Sequence, residues 1–257
     1  RRLEIVWRCE RDQRAPAAIA LPDGRLLGVA EIFGENRLEA TARTASAAIG
    51  APPGGRWGTV DILTDAGLQQ LERQLEGSVR SAGARFPERP MFQVDVLCLG
   101  RSTREGLMGI MFDVADELPR QGAAVFMEEI RRLAGTDADR NILRTTVHEI
   151  GHALNLAHRF EPDVGRADSL SFMNYPHRFE AGETAYWGGF GWRFDVDELA
   201  FLAHAPWLQV TPGGLPFHSV SYWRDGVDGI VPFRSQSAPA ELGYRLELLP
   251  PQREARP

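Results

Sequence analysis

Residues 148–158 read His148-Glu149-Ile150-Gly151-His152-Ala153-Leu154-Asn155-Leu156-Ala157-His158, and few local structures satisfy such a stretch. On a helix, His148 and His152 stand about 40° apart around the axis, so both rings leave the same face. Two imidazoles at that spacing can share one divalent metal. Glu149 is then placed to act as a base toward water without being a ligand. His158 lies six residues beyond His152 and reaches the same point only if the helix stops in between. Three neutral imidazoles with one open position are the ligand set of a catalytic zinc rather than a structural one.

The five-residue motif alone is a weak signal, so its surroundings matter. The chain has six histidines, and three of them fall in this window. Ile150, Ala153, Leu154, Leu156 and Ala157 surround the polar residues, which marks the helix as buried. Burying two imidazoles and a carboxylate without partners costs several kcal/mol, and a metal removes that cost.

Downstream comes Ser171-Phe172-Met173-Asn174-Tyr175-Pro176, with Met173 fifteen residues after His158. Together the two segments resemble the metzincin clan of zinc endopeptidases, whose pattern is HExxHxxGxxH followed by a methionine-containing turn. The Ser-x-Met-x-Tyr form is similar to that of astacin-like and serralysin-like members. The resemblance covers about residues 56–207 and leaves the subfamily open. It implies one catalytic Zn²⁺ on His148, His152 and His158, with Glu149 as general base. Met173 becomes a hydrophobic floor under the histidines, and Tyr175 a group that approaches the metal or stabilises an oxyanion. It further implies a substrate-binding edge strand, placed here at Gly122, Ala123, Ala124 and Val125, and a pocket walled by residues between Tyr175 and Trp192. One departure is Asn155, which stands where the pattern has glycine. Asparagine is the residue next best suited to the left-handed conformation, so Asn155 is expected at the helix end with positive φ. Arg159 matches none of the residues that mark familiar subfamilies.

Length and composition bound the rest. A chain of 257 residues with 43% hydrophobic and 25% charged residues reads as a soluble globular protein of one domain with appendages, or two small ones. No apolar run is long enough for a membrane span. The start, Arg1-Arg2-Leu3-Glu4-Ile5, lacks the apolar stretch of a signal peptide. An intracellular protein, a secreted or periplasmic one already processed, and a trimmed chain all fit. Net charge of −6 without a basic run argues against nucleic acid as a partner and leaves a protein or peptide substrate. All 29 basic residues are arginine, which suggests a GC-rich bacterial genome. Two cysteines, Cys9 and Cys98, make no disulfide framework. A Cys9–Cys98 bridge, and a latency role for Cys9 at the open metal position, stay open.

The expected fold is α+β and metzincin-like: a mixed, mostly parallel twisted sheet with an antiparallel edge strand, an active-site helix and a C-terminal helix. Residues 1–55 read as a separate β-rich extension or prosegment, with strands at Leu3–Trp7, Ala17–Leu21 and Leu26–Phe33, closed by Ala51-Pro52-Pro53-Gly54-Gly55. A catalytic unit over 56–207 begins with a strand at Thr59–Leu63 and a helix to about Ala82. Strands follow at Phe92–Leu99, Leu107–Phe112 and Gln121–Met127. The active helix starts near Asp137–Asp139 and ends at Asn155. Asp195 and Glu198 form a capping-box start for a last helix ending before Pro206. His177, His204 and His218 lack partner spacing and stay outside the metal set. Residues 208–257 form a Pro/Gly-rich extension with a strand at Leu242–Leu248.

Peptide-bond hydrolysis by an endopeptidase is the function these readings favour. Two others remain open: a catalytically silent zinc-containing domain that binds a peptide or partner, and a restricted hydrolase such as an aminopeptidase or cell-wall peptide hydrolase. Substrate preference and oligomeric state are not legible.

Overall fold

The computed structural model describes residues 1–223 apart from 47, 53, 59–61, 63–90 and 115–117. The expected strand at Thr59–Leu63 (Ile62 apart), the helix after it, and the strand at Leu242–Leu248 lie outside these residues. The architecture is α+β, built on a five-stranded, mostly parallel sheet. Its strands are β1 (Arg2–Cys9), β4 (Glu39–Thr44), β5 (Met91–Leu99), β6 (Gly109–Val114) and β7 (Leu118–Phe126), and a small hairpin pairs β2 (Ile19–Ala20) with β3 (Leu26–Leu27). The order is β4-β1-β5-β7-β6. β1 runs parallel to both β4 and β5, β5 runs parallel to β7, and β6 is antiparallel to β7.

Period-two alternation distributes the strand side chains between two cores. Leu3, Ile5 and Trp7 of β1, Phe92, Val94, Val96 and Cys98 of β5, and Ala123 and Val125 of β7 join the core under the helices. Leu97, Leu99, Ala124 and Phe126 point the other way and pack with Trp57 and Phe112. Strands covered on both faces carry nearly continuous apolar runs, as Ile5-Val6-Trp7 does.

This arrangement corrects the reading of residues 1–55 as a separate extension. β1 sits inside the main sheet, bonded to β5, which lies far along the chain. Glu10 pairs with Ile49 and Trp57 with Ser102, so the Pro/Gly stretch from Ala51 is no domain boundary. Leu26–Phe33 is also not one strand: only Leu26–Leu27 is extended, and helix α1 occupies Val29–Glu35. Val29, Ile32 and Phe33 repeat at helical spacing and bury together. The Glu31 carboxylate accepts the Gly28 N–H at 3.2 Å to open the helix.

β7 feeds helix α2 (Met127–Ala134), which the sequence did not suggest, then a 3₁₀ turn at Gly135–Asp137 and helix α3 (Ala138–Ala153). α3 carries the histidine motif and starts at the acidic cluster as expected. Every residue from Ile142 to Ala153 is buried, the pattern of a helix enclosed on all sides. Further on come α4 (Glu183–Gly189), α5 (Val196–His204) and α6 (Trp207–Val210). Asp195 and Glu198 form the expected capping box of α5.

The division at residue 208 is corrected as well. Arg120, wholly buried at the start of β7, donates to the carbonyls of Ala153, Val210, Thr211 and Leu215 at 2.8–3.1 Å. One guanidinium therefore caps the C-terminal end of α3, where a cation is favoured, and ties residues 210–215 to it. No helix among the described residues is long and apolar enough to cross a membrane. Arg120→Ala leaves four carbonyls without their donor. Urea unfolding should show a loss of at least about 3 kcal/mol, with the histidine motif itself untouched.

Candidate metal centre

Helix α3 ends where the third histidine requires it to end. The Asn155 N–H donates to the His152 carbonyl and the Leu156 N–H to the Gly151 carbonyl, both at 2.9 Å. These two bonds are a Schellman motif, which needs a left-handed residue between them. Asn155 supplies it with φ +71°. Its side chain does more than glycine could: Nδ2 donates to the Gln209 carbonyl at 2.8 Å, and Oδ1 accepts the His218 N–H at 3.1 Å. The chain reverses and delivers His158 to the other two rings.

Each imidazole is oriented through its Nδ1. His148 Nδ1 lies 2.7 Å from the Phe172 carbonyl, His152 Nδ1 lies 2.7 Å from the Leu156 carbonyl, and His158 Nδ1 lies 2.8 Å from Glu161 Oε1. Carbonyls only accept, and an ionised carboxylate does too, so these partners assign the proton to Nδ1 in all three rings. All three Nε2 atoms then present lone pairs. They converge: His152 Nε2 is 3.0 Å from both His148 Nε2 and His158 Nε2. Burial further opposes ring protonation, since desolvation holds His148 and His152 well below the usual histidine range. Three acceptors facing one another repel unless a cation sits among them. A tetrahedral zinc with bonds of about 2.1 Å holds its ligand nitrogens roughly 3.4 Å apart, close to the separations here. The donor set thus fits a metal ion, and the three histidines form a candidate metal-holding group.

Glu149 is buried beside this group, and desolvation raises its pKa to about 8. The covering element is β6. A Cβ on Gly109 would come within 2.7 Å of Glu149 Cγ and 2.8 Å of Thr145 Cγ2, so only glycine lets the strand pass so close. This corrects the assignment of Gly122–Val125 to a sheet edge. Those residues lie in β7, hydrogen-bonded to β5 on one side and β6 on the other. β6 is the terminal strand among the described residues.

Met173 is wholly buried, and a Cβ on Gly151, the residue before His152, would collide with its sulfur. The turn around Met173 is held from several sides. Ser171 Oγ accepts the Met173 N–H at 3.1 Å and donates to Glu198 at 2.5 Å. Arg144, one helical turn before His148, donates to the carbonyls of Phe172 and Asn174. The Tyr186 hydroxyl donates to the Ser171 carbonyl at 3.0 Å. Tyr186 and Phe190 stack at 5.0 Å, and Phe190 meets Phe172 at 5.1 Å. These two aromatics therefore brace the turn from behind.

Tyr175 reaches the site, its hydroxyl 3.0 Å from His158 Nε2. Burial foremost, then the charge of Glu149, pushes its pKa up to about 12. Phe160 stacks on His158 at 4.8 Å, and Phe217 meets the His152 ring edge at 5.2 Å. His204 is exposed on α5 and His177 stacks on Tyr175; neither joins the metal group.

His218 was underrated by spacing. Its Nε2 lies 3.1 Å from Glu161 Oε2, while Oε1 of the same carboxylate accepts the His158 Nδ1–H. Trp223 stacks on His218 at 5.2 Å and donates its indole N–H to the Asp163 carbonyl at 2.8 Å. His218 thus holds the carboxylate that holds the third ring. Arg159 was also unassigned. Wholly buried, it pairs with Asp195 at 2.9 Å and Asp197 at 3.1 Å, with Glu198 at 3.7 Å. That cluster anchors the residue after His158 to the start of α5. The neighbours of Arg159 in the sequence, His158, Phe160 and Glu161, gave no sign of this pairing.

Cys9 lies opposite Cys98 in the sheet, and the cavity it lines includes none of the histidines. The structure therefore does not place Cys9 at the open metal position.

Three outcomes follow from this geometry. Asn155→Gly keeps the left-handed turn but loses two side-chain bonds; zinc content should persist while the melting temperature drops. Asn155→Val disfavours the turn itself, so isothermal titration should show zinc affinity lost as well. Glu161→Ala frees His158 to choose the wrong tautomer. Its zinc affinity should fall about 10–100-fold in a competition assay with a chelating dye.

Comparison with family models, with curated proteins and with solved structures finds no match to this chain.

Proposed function

We propose that the protein is a zinc-dependent endopeptidase of metzincin type. The observation that carries this reading is the convergence of three unprotonated Nε2 atoms beside a buried carboxylate, beneath a terminal antiparallel strand. His148, His152 and His158 would hold the zinc. The bound ion supplies a Lewis acid that polarises a carbonyl and acidifies water.

The other roles belong to the chain. Glu149 takes a proton from water and returns one to the leaving amine, the work of a general base and then acid. Its burial under β6 excludes competing solvent. Tyr175, with a hydroxyl kept protonated by burial, donates a hydrogen bond to the oxyanion that develops on the substrate. β6 is the terminal strand among the described residues and lies against Glu149, so an extended peptide can add to it as a further strand. This moves the substrate strand from Gly122–Val125 to Gly109–Val114 on the same principle.

The Met-turn built on Met173, the left-handed exit at Asn155 and the mixed sheet agree with the metzincin-like reading. Glu149 itself argues against a silent binding domain, since a pure binder needs no carboxylate between its ligands. Cleavage of N-terminally blocked peptides separates an endopeptidase from an aminopeptidase.

Glu149→Gln should retain one zinc per chain by elemental analysis and lose about 10²–10⁴-fold in kcat/KM on a peptide library. Cleavage at the native rate by this variant overturns the assignment of the base. Absence of zinc in the unaltered protein overturns the metal reading.

A further inference from the structure

The two cysteines are register partners at the carboxyl ends of adjacent parallel strands, Cys9 on β1 and Cys98 on β5. Both are free thiols, and as register partners they turn toward the same core. Neighbouring strands run about 4.8 Å apart, inside the Cα separation of roughly 4.4–6.8 Å that a disulfide spans. The environments of the two sulfurs differ. Cys98 is wholly buried in the core under the helices, whereas Cys9 is only partly buried against it. Cys9 lines a cavity of about 380 Å³, together with Arg11, Arg14, Thr44, Ala45 and Ser46. Cys9 thus borders an opening whose wall carries Glu10 as well as Arg11 and Arg14, and Cys98 is enclosed in the core beside it.

We propose that Cys9 and Cys98 are a dithiol oxidised by small hydroperoxides, with Cys9 as the attacking thiolate and Cys98 as the resolving thiol. The proposal is independent of the metal centre. In the first step the Cys9 sulfur attacks one oxygen of the peroxide and the O–O bond breaks. The leaving alkoxide or hydroxide takes up a proton. Sulfur is oxidised to a sulfenic acid and the peroxide is reduced to an alcohol or water. In the second step the Cys98 sulfur attacks the sulfenic sulfur, the S–S bond forms and the S–O bond breaks. The released hydroxyl leaves as water with the Cys98 proton. The sum is two thiols and one peroxide to one disulfide, one alcohol or water, and one further water.

The division of labour follows from surroundings. Hydrogen bonding from Cys98 foremost, with help from Arg14, lowers the Cys9 pKa, while the Cys9 contact and burial raise that of Cys98. A thiolate beside arginine and open to a cavity is the reactive kind; a buried thiol is inert until an oxidised partner stands next to it.

The test is oxidation of the full chain with equimolar hydrogen peroxide, quenching with N-ethylmaleimide, and intact-mass and peptide analysis. The expected result is loss of two hydrogens, no maleimide adduct, and a linked pair of peptides containing Cys9 and Cys98. Cys98→Ser should stop at a Cys9 sulfenic acid that dimedone traps, and Cys9→Ser should leave Cys98 unoxidised. Two maleimide adducts on the peroxide-treated native chain overturn the proposal. So does sulfinic acid on Cys9 with Cys98 still free, or oxidation of Cys98 in Cys9→Ser at the native rate. The native-chain measurement stands even where a serine variant fails to fold.

Discussion

Helix α3 has to stop between the second and third histidine, and the histidine site is organised by how that stop is made. Continuing the helix would carry His158 away, because six residues are more than one and a half turns. A left-handed residue reverses the chain, and at this position an asparagine does so with its side chain engaged. Two bonds from the Asn155 amide fasten the helix end to Gln209 and His218. A third attachment comes from Arg120, which caps the Ala153 carbonyl and grips residues 210–215. Glycine would permit the turn, but asparagine also recruits the segment that supports the ring it delivers.

Support for the rings is layered outward from the metal-facing nitrogens. Two rings lean on backbone carbonyls, which cannot change charge, and one leans on Glu161. The carbonyl behind His148 belongs to Phe172, so the turn around Met173 orients a histidine. That turn is held by Arg144 from the same helix, which closes a loop of mutual restraint between α3 and residues 171–175. Arg159 adds the remaining tie, from the residue after His158 to the acidic start of α5. Buried charges of this kind are expensive to desolvate and add little net stability. Their effect is positional: losing one partner strands the others.

The histidine window, the helix end, the Met-turn and the α5 capping box were legible because each is local, with spacing and backbone preference acting within a few residues. Arg144 was in reach of the same reasoning, since it precedes His148 by one turn on the same face. Glu161 and His218 were not, because their meeting depends on a return of the chain across more than fifty residues. Sheet position failed for a similar reason. Apolar alternation marks Gln121–Met127 as a strand, yet chain order does not reveal that the preceding strand, β6, lies outside it. β1 did carry a hint in its nearly unbroken apolar run, which belongs to a strand covered on both faces rather than to a surface appendage.

Glu149 lies where helix α3 meets β6. Burial beneath β6 raises its pKa to about 8, so in the protein alone the carboxyl group tends to keep its proton. A dication held by the neighbouring histidines would act in the opposite sense, since a nearby positive charge favours the ionised form. Under the proposed reading, the base would then become available when the metal is present. Gly109 matters here because it sets how completely the strand shields the carboxylate. Any side chain there would displace Glu149 or lift β6, and either change weakens the desolvation that links base and ion.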